Sequence, residues 1–304
     1  MIAPEFSLSV PNHNGQPNDP DDLFFGEVDQ IGKVQSGNTN FNRLRGHKKW
    51  SWGRVGLTLL GFFLGPCVTA LIGAGIAGGM NLSFDTVMPI AVGLGALGGA
   101  ILFAYWGRPW EICTFIGEKG LARVKRRGEK TKTDVLAFAD AVEMRQRQIK
   151  QYVNGVYTGT TFGYDWLDKD QQYQFRIGGV YREDTKKPIP KANEVYFGTA
   201  AEYAWLNHRL PVVLDEVERG GTVRFNVGKK KWIDIGRGWV EFGLKKTPLR
   251  MEAADVKEAS LHQGTLSIKP NEGGWGSTLK VSVANIGDMK IFLSLLEKTL
   301  EIKL

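Results

Sequence analysis

The sequence predicts an α+β protein, a transmembrane helical hairpin followed by a cytoplasmic β-rich region. Three observations lead there. Val55 to Met80 and Thr86 to Trp106 hold no Asp, Glu, Lys or Arg, and about 20 apolar helical residues suffice to cross a hydrocarbon core. Past Trp110 the chain turns into short β-branched and aromatic runs separated by Gly, Asn and Asp. The stretch from Asp288 to Lys303 has helical spacing, with Met289, Phe292, Leu293, Leu296 and Leu300 on one face and Lys290, Ser294, Glu297, Lys298 and Glu301 on the other.

Residues 1–50 come first. "PNHNGQPNDPDD" and "QSGNTNFNRLRGHKK" are rich in Asn, Gly, Pro and charge, with no sustained period of 2 or 3.6. They read as a disordered N-terminal arm. The arm lacks a basic n-region leading into an apolar h-region, so the first span is expected to act as its own insertion signal.

The hairpin occupies 55–106, with spans 55–80 and 86–106 joined by "GGMNLSFDTVMP", whose one charge is Asp85. Arg43, Arg45, Lys48, Lys49 and Arg54 precede it, and Arg108, Lys119, Arg123, Lys125, Arg126 and Arg127 follow. Lys and Arg near span ends stay on the cytoplasmic side, so both termini are expected in the cytoplasm of a multi-pass inner (plasma) membrane protein. Trp50, Trp52, Tyr105, Trp106 and Trp110 fit as interfacial anchors. "GAGIAG" and "GLGALG" match the dinucleotide pattern G-x-G-x-x-G, but they lie inside uncharged spans, and Gly98 stands where the acidic residue after "GAGIAG" should be. The better reading is packing. Gly61 with Gly65, Gly75 with Gly79, and Gly95 with Gly99 are each four apart, which lines one helix face with glycine and lets a second backbone approach. No ionisable group lies within either span, which argues against an ion or substrate pathway.

Beyond the hairpin, "EICTFIGEKGLARVKRR" reads as a β-hairpin turning at "GEKG". "KQYVNGVYTGTTFGYDWLDKDQQYQFRIGGVYRE" reads as three antiparallel strands, turning at Asn154-Gly155 and between Asp168 and Gln171. Thr199 and Glu202 have capping-box spacing ahead of a helix that Pro211 breaks or kinks and that runs to Gly220. "GTVRFNV", "KKWIDIG", "WVEFGL", "VKEASLH", "TLSIK" and "LKVSVAN" are further strands before the closing helix. Strands then a helix, twice over, divide the region into modules at 111–220 and 221–304.

With "CTFIGEKGLARV" near its start, "YVNGVYTGTTFGYDW" in its middle and "VANIGDMKIFLSLLEKTL" at its end, the stretch 111–304 resembles bacterial membrane-tethered proteins with pleckstrin-homology-like (PH-like) domains, among them families of unknown function. The resemblance implies two PH-like barrels of about seven strands, each closed at one end by a helix. Lipid-reading members of that class use a basic cluster around the first hairpin. The matching positions make Lys119, Arg123, Lys125, Arg126 and Arg127 the candidate lipid headgroup contacts.

The remaining patterns carry little chemistry. A net charge of +7 and a pI of 9.3 could suit nucleic acid, but the lysines of "GKKKW" sit in a turn with no broad aromatic-studded basic surface, and no nucleic-acid partner is expected. His13, His47, His208 and His262 have no ligand spacing, and "DWLDKD" lacks the glycine and distal glutamate of a calcium loop. Cys67 and Cys113 make no disulfide framework and are compatible with a reducing compartment. No nucleophile elbow, P-loop or Ser/His/Asp set stands out, so neither catalysis nor a cofactor is expected.

The function read from these residues is a non-enzymatic, membrane-anchored scaffold or protein-interaction module with an unidentified protein partner. One alternative is a PH-like module that senses anionic lipid. Another is a homo-oligomeric membrane complex or pore assembled through the glycine-rich spans.

Overall fold

The computed structural model describes residues 4–26, 28–44, 52–80, 83–107, 109–183, 188–228, 230–271 and 278–301. It is a mixed α+β fold, with two apolar helices and four antiparallel sheets. Helix α1 (Trp52–Met80) and helix α2 (Phe84–Trp106) pack along each other as a hairpin. Their segments Val55–Gly75 and Val87–Tyr105 are long and apolar enough to cross a membrane, and leucines such as Leu71, Leu94 and Leu97 are exposed on their outer faces.

The arrangement around the hairpin differs from the expected disordered arm. Strand β1 (Val34–Thr39) precedes the hairpin and pairs antiparallel with β2 (Glu111–Gly117), which comes after it. The hairpin is therefore inserted between two adjacent strands of one sheet. That sheet continues through β3 (Gly120–Arg127) and β4 (Lys130–Ala137) in the order β1-β2-β3-β4. Residues ahead of β1 cover one of its faces: Phe24, Phe25 and Ile31 are buried against Cys113, Phe115, Ala122 and Val124, with Phe6 and Leu8 packed at the margin. The apolar residues of the arm are too sparse to show a period, yet they bury a complete sheet face. Side-chain amides bond the backbone between them, as where Asn18 Nδ2 donates to the Val10 carbonyl at 2.7 Å, and tie the arm to β1, as where Asn12 Nδ2 donates to the Asn38 side-chain Oδ1 at 3.0 Å.

A three-stranded sheet comes next, β5 (Glu143–Val153), β6 (Val156–Leu167) and β7 (Tyr173–Tyr181), in that order. The β5–β6 turn is the expected Asn-Gly pair, with φ of 50° at Asn154 and 78° at Gly155, the positive values a type I′ turn requires. Alternation along β6 turns Phe162, Tyr164 and Trp166 inward. They meet helix α3 (Glu194–Glu218), which buries Phe197, Ala201 and Trp205. The helix starts earlier than its T-x-x-E signature implies. Asn193 caps it by accepting from the Val195 amide at 3.0 Å, which leaves Thr199 inside the helix with its hydroxyl 3.4 Å from that of Tyr164. Pro211 is accommodated without ending the helix.

The same order then repeats. Strands β8 (Val223–Val227), β9 (Lys231–Gly236), β10 (Trp239–Gly243) and β11 (Leu249–Glu252) form a four-stranded sheet. Strands β12 (Val256–His262), β13 (Thr265–Pro270) and β14 (Leu279–Ser282) form a three-stranded one, and α4 (Met289–Leu300) closes the chain. Each round is thus four strands, three strands and a helix. Among the described residues the four sheets remain separate and no closed barrel is found.

One continuous core joins the rounds. At their junction Asp288 is buried, accepting from Trp205 Nε1 at 2.6 Å and from the Met144 amide at 2.9 Å, while its own amide donates to the Met144 carbonyl. Burial pushes its carboxyl up to about 7, helped by the neighbouring Glu143. Asn226 Nδ2 donates to Glu143 at 2.6 Å, and Lys290 pairs with the buried Glu202 at 2.9 Å, so polar groups of both rounds interlock.

Candidate functional site

The hairpin's helices touch through backbone. A Cβ added at Gly65 would meet the Gly95 carbonyl, and one at Gly61 the Gly99 carbonyl. The reverse pairs collide in the same way. Gly61, Gly65, Gly95 and Gly99 therefore form the crossing point predicted from their spacing. Gly75 does not join them, because a Cβ there meets nothing within 4 Å. The packing of Gly79 lies outside the described residues, as do Arg45, Lys48, Lys49, Trp50, Arg108, and the side chains of Trp52, Arg54 and Trp106. Pro66 removes one backbone donor of α1, and the Thr69 hydroxyl donates to the Gly65 carbonyl at 3.0 Å in the same turn.

Both legs of the hairpin meet the first sheet at one end. Asn40, just past β1, donates from Nδ2 to the Trp110 carbonyl at 3.0 Å and accepts from the Ile112 amide at 2.7 Å. Its side chain thereby extends the ladder to where the chain leaves α2. The stretch 107–110 can reach at most about 14 Å when extended, so the first residues of β2 stay close to the end of α2.

Register then sorts the candidate cations. Glu111 faces Arg126 at the hairpin end, and Ile116 faces Leu121 at the other. Lys119, in the turn beyond Leu121, is thus about 20 Å farther from the hairpin than the β3–β4 turn. Arg123 is 9% exposed. It pairs with Glu194 at 2.9 Å, donates to the Arg176 carbonyl at 3.2 Å, and lies over Phe175 and Phe197. Arg126 is buried between Glu5 and Glu111, at 2.7 and 2.8 Å, and covers Phe25 at 4.2 Å. The two arginines are structural pins, which corrects their assignment as headgroup contacts: both guanidiniums are buried and paired with carboxylates of the protein, and their remaining donors, Arg123 Nε and Arg126 Nη1, are enclosed with them.

Lys125 and Arg127 remain on the surface, with Arg127 stacked on Trp110 at 4.8 Å. The sequence reading missed their cross-strand partners. Lys125 faces Lys132, and Arg127 faces Lys130 across the Gly128-Glu129 turn, where Gly128 has φ 65°. A two-residue turn at that glycine was the available signal.

The chain belongs to the family of unknown function DUF6585. The match covers residues 30–302. It starts ahead of β1 and passes the end of α4, so strand, hairpin and both rounds fall within the extent of the family. A comparison with curated proteins finds no match.

Other candidates resolve into ordinary structure. Asp168 Oδ1 accepts from the amides of Asp170 and Gln172, both at 2.9 Å, which makes "DWLDKD" a turn. Asp165 is held between Arg147 and Arg176 at 2.9 and 2.8 Å. His13 is buried, bridging Ser36 and Thr114 at 2.9 and 3.0 Å, and burial lowers its imidazole to about 3. Among the described residues no group of three or more His, Cys, Asp or Glu could hold a metal ion.

Proposed function

We propose that this protein is a non-enzymatic, membrane-anchored interaction module, with the hairpin crossing the bilayer and two PH-like rounds held at the cytoplasmic surface. The observation that carries it is the insertion of the hairpin between β1 and β2. If both helices span, ends that return to neighbouring strands keep both flanks on one side, and the basic flanks support the cytoplasm as that side. The outward leucines of both helices support the anchor, since such surface is stable in lipid and not in water. The repeated order of four strands, three strands and a helix supports the PH-like reading.

Two surfaces suit a protein partner. The β5–β6 hairpin ends in Ile149, Tyr152, Val153 and Val156, each at least 59% exposed. A cleft of about 500 Å³ separates the free edges of β4 and β7, lined by Thr133, Val135, Tyr173 and Phe175 among others.

A reporter active only outside the cytoplasm tests the anchor: it should work when fused after Ser83 and be silent after Leu304. A photo-crosslinking residue at Tyr152 of the full chain in native membranes tests the module, with a discrete adduct expected there and none from Lys298. No adduct from Tyr152, or the same bands from both positions, would remove the interaction reading.

A further inference from the structure

The β3–β4 ladder contains an electrostatic oddity that the fold does not explain. Cross-strand partners share a face, so the pairs Lys125–Lys132 and Arg127–Lys130 put four cations side by side at the hairpin end of the first sheet. Like charges directly opposite each other destabilise a ladder. One carboxylate offsets part of this: Asp134 is 3.4 Å from Lys132 and 4.0 Å from Lys125. Arg127 and Lys130 pair with no carboxylate of the described residues, although Glu129 lies in the turn between them. On the opposite face, Arg126 is neutralised by Glu5 and Glu111, so the uncompensated charge lies on one side.

We infer that this face, Lys125, Arg127, Lys130 and Lys132, rests against anionic lipid headgroups and sets the pose of the cytoplasmic region on the bilayer. The inference rests on the hairpin's crossing the membrane. Given that, the short link 107–110 holds the β3–β4 turn at the lipid surface, with Trp110 under Arg127 at headgroup depth. An anionic leaflet attracts each nearby Lys or Arg, and the attraction fades within a Debye length, so cations on this turn count while Lys119 at the far end does not. The ligand is the negative headgroup layer as a surface. Lys130 and Lys132 are exposed and Lys125 and Arg127 half-buried along one strand-ladder face, an extended row of charge that suits a charged surface.

The test uses the full chain, carrying a dye on Glu129→Cys, in the turn between Arg127 and Lys130, in a Cys67→Ala background, in nanodiscs with a quencher on the lipid headgroups. Discs of phosphatidylcholine mixed with phosphatidylserine should quench the dye at least about twofold more than phosphatidylcholine alone, and added salt should erase the difference. Replacing Lys125, Arg127, Lys130 and Lys132 together by Gln should also erase it, without lowering the melting temperature, because like-charge pairs are lost. Lys119→Gln should keep it. Equal quenching in both discs, or a difference that survives the fourfold variant, overturns the inference while leaving the anchor intact. A lower melting temperature of the fourfold variant overturns it too, since the cations would then be structural. A chain that leaves both kinds of disc when detergent is removed overturns the membrane reading, and this inference with it.

Discussion

Asp288 carries a pH dependence written into the junction between the rounds. Its carboxyl titrates near 7 when folded, against 3.8 for the unconstrained group, so the folded state holds a proton that the unfolded state has released. Stability then falls as pH rises from about 4 to about 7 and is flat above, by an amount on the order of a few kcal/mol. Asp288→Asn keeps an oxygen to accept from Trp205 and Met144, and Asn tolerates the left-handed φ of 50° at this position. The variant should melt with wild type at about pH 3.5 and above it at pH 8; equal melting at both pH values would refute the assignment. His13 acts in the opposite sense. Its folded imidazole is depressed to about 3 from 6.5, so the unfolded state gains a proton first, and the arm loses its hold as pH drops below about 6.5. Proteolysis near Asn14 should accelerate on acidification, and less so in His13→Gln. Neither residue announced itself in the sequence: burial gives each its role, and burial depends on what the rest of the chain places around it.

At the scale of elements, the glycine crossing makes a graded prediction. Gly65→Leu forces a side chain into the Gly95 backbone and should cost about 1–3 kcal/mol of hairpin packing, seen as a lower melting temperature in detergent. Gly75→Ala adds a methyl group where nothing stands within 4 Å and should be neutral or slightly stabilising. Strand β1 carries the second prediction. Without residues 1–43, the 111–304 fragment exposes the β2 edge and the face formed by Cys113, Phe115, Ala122 and Val124. It should aggregate, and a separate 4–43 peptide should restore a soluble complex measurable by light scattering; a monodisperse fragment alone would show β1 to be dispensable. The helices, the Asn-Gly turn and most strands were legible, because each rests on a local period or a turn residue. Strand β1 was not. "VQSGNT" has a single apolar residue, and its strand conformation comes from the β2 edge it pairs with.

At the scale of the molecule, the chain is an apolar helical hairpin inserted between two strands at one edge of a two-round β assembly. The element order of the rounds was readable in outline from runs and turns. What joins them was not, since Trp205, Met144, Glu143, Asn226 and Asp288 come from distant segments with no shared spacing. The candidate headgroup contacts show the same division. From the sequence, "RVKRR" is a single basic run. Strand alternation splits it, turning Arg126 to the arm face and its neighbours Lys125 and Arg127 to the other.

By itself the sequence determined the two apolar helices, the β-rich character of the chain beyond them, the glycine spacing of the crossing and the basic flanks, all properties of residues close together in the chain. The tertiary structure decided that the hairpin interrupts a sheet, that the arm is a folded cover, and that two of the five proposed headgroup contacts are internal pins and a third lies at the far end. Those outcomes depend on strand pairing between residues separated by the whole hairpin, and pairing at that distance leaves no local period to read.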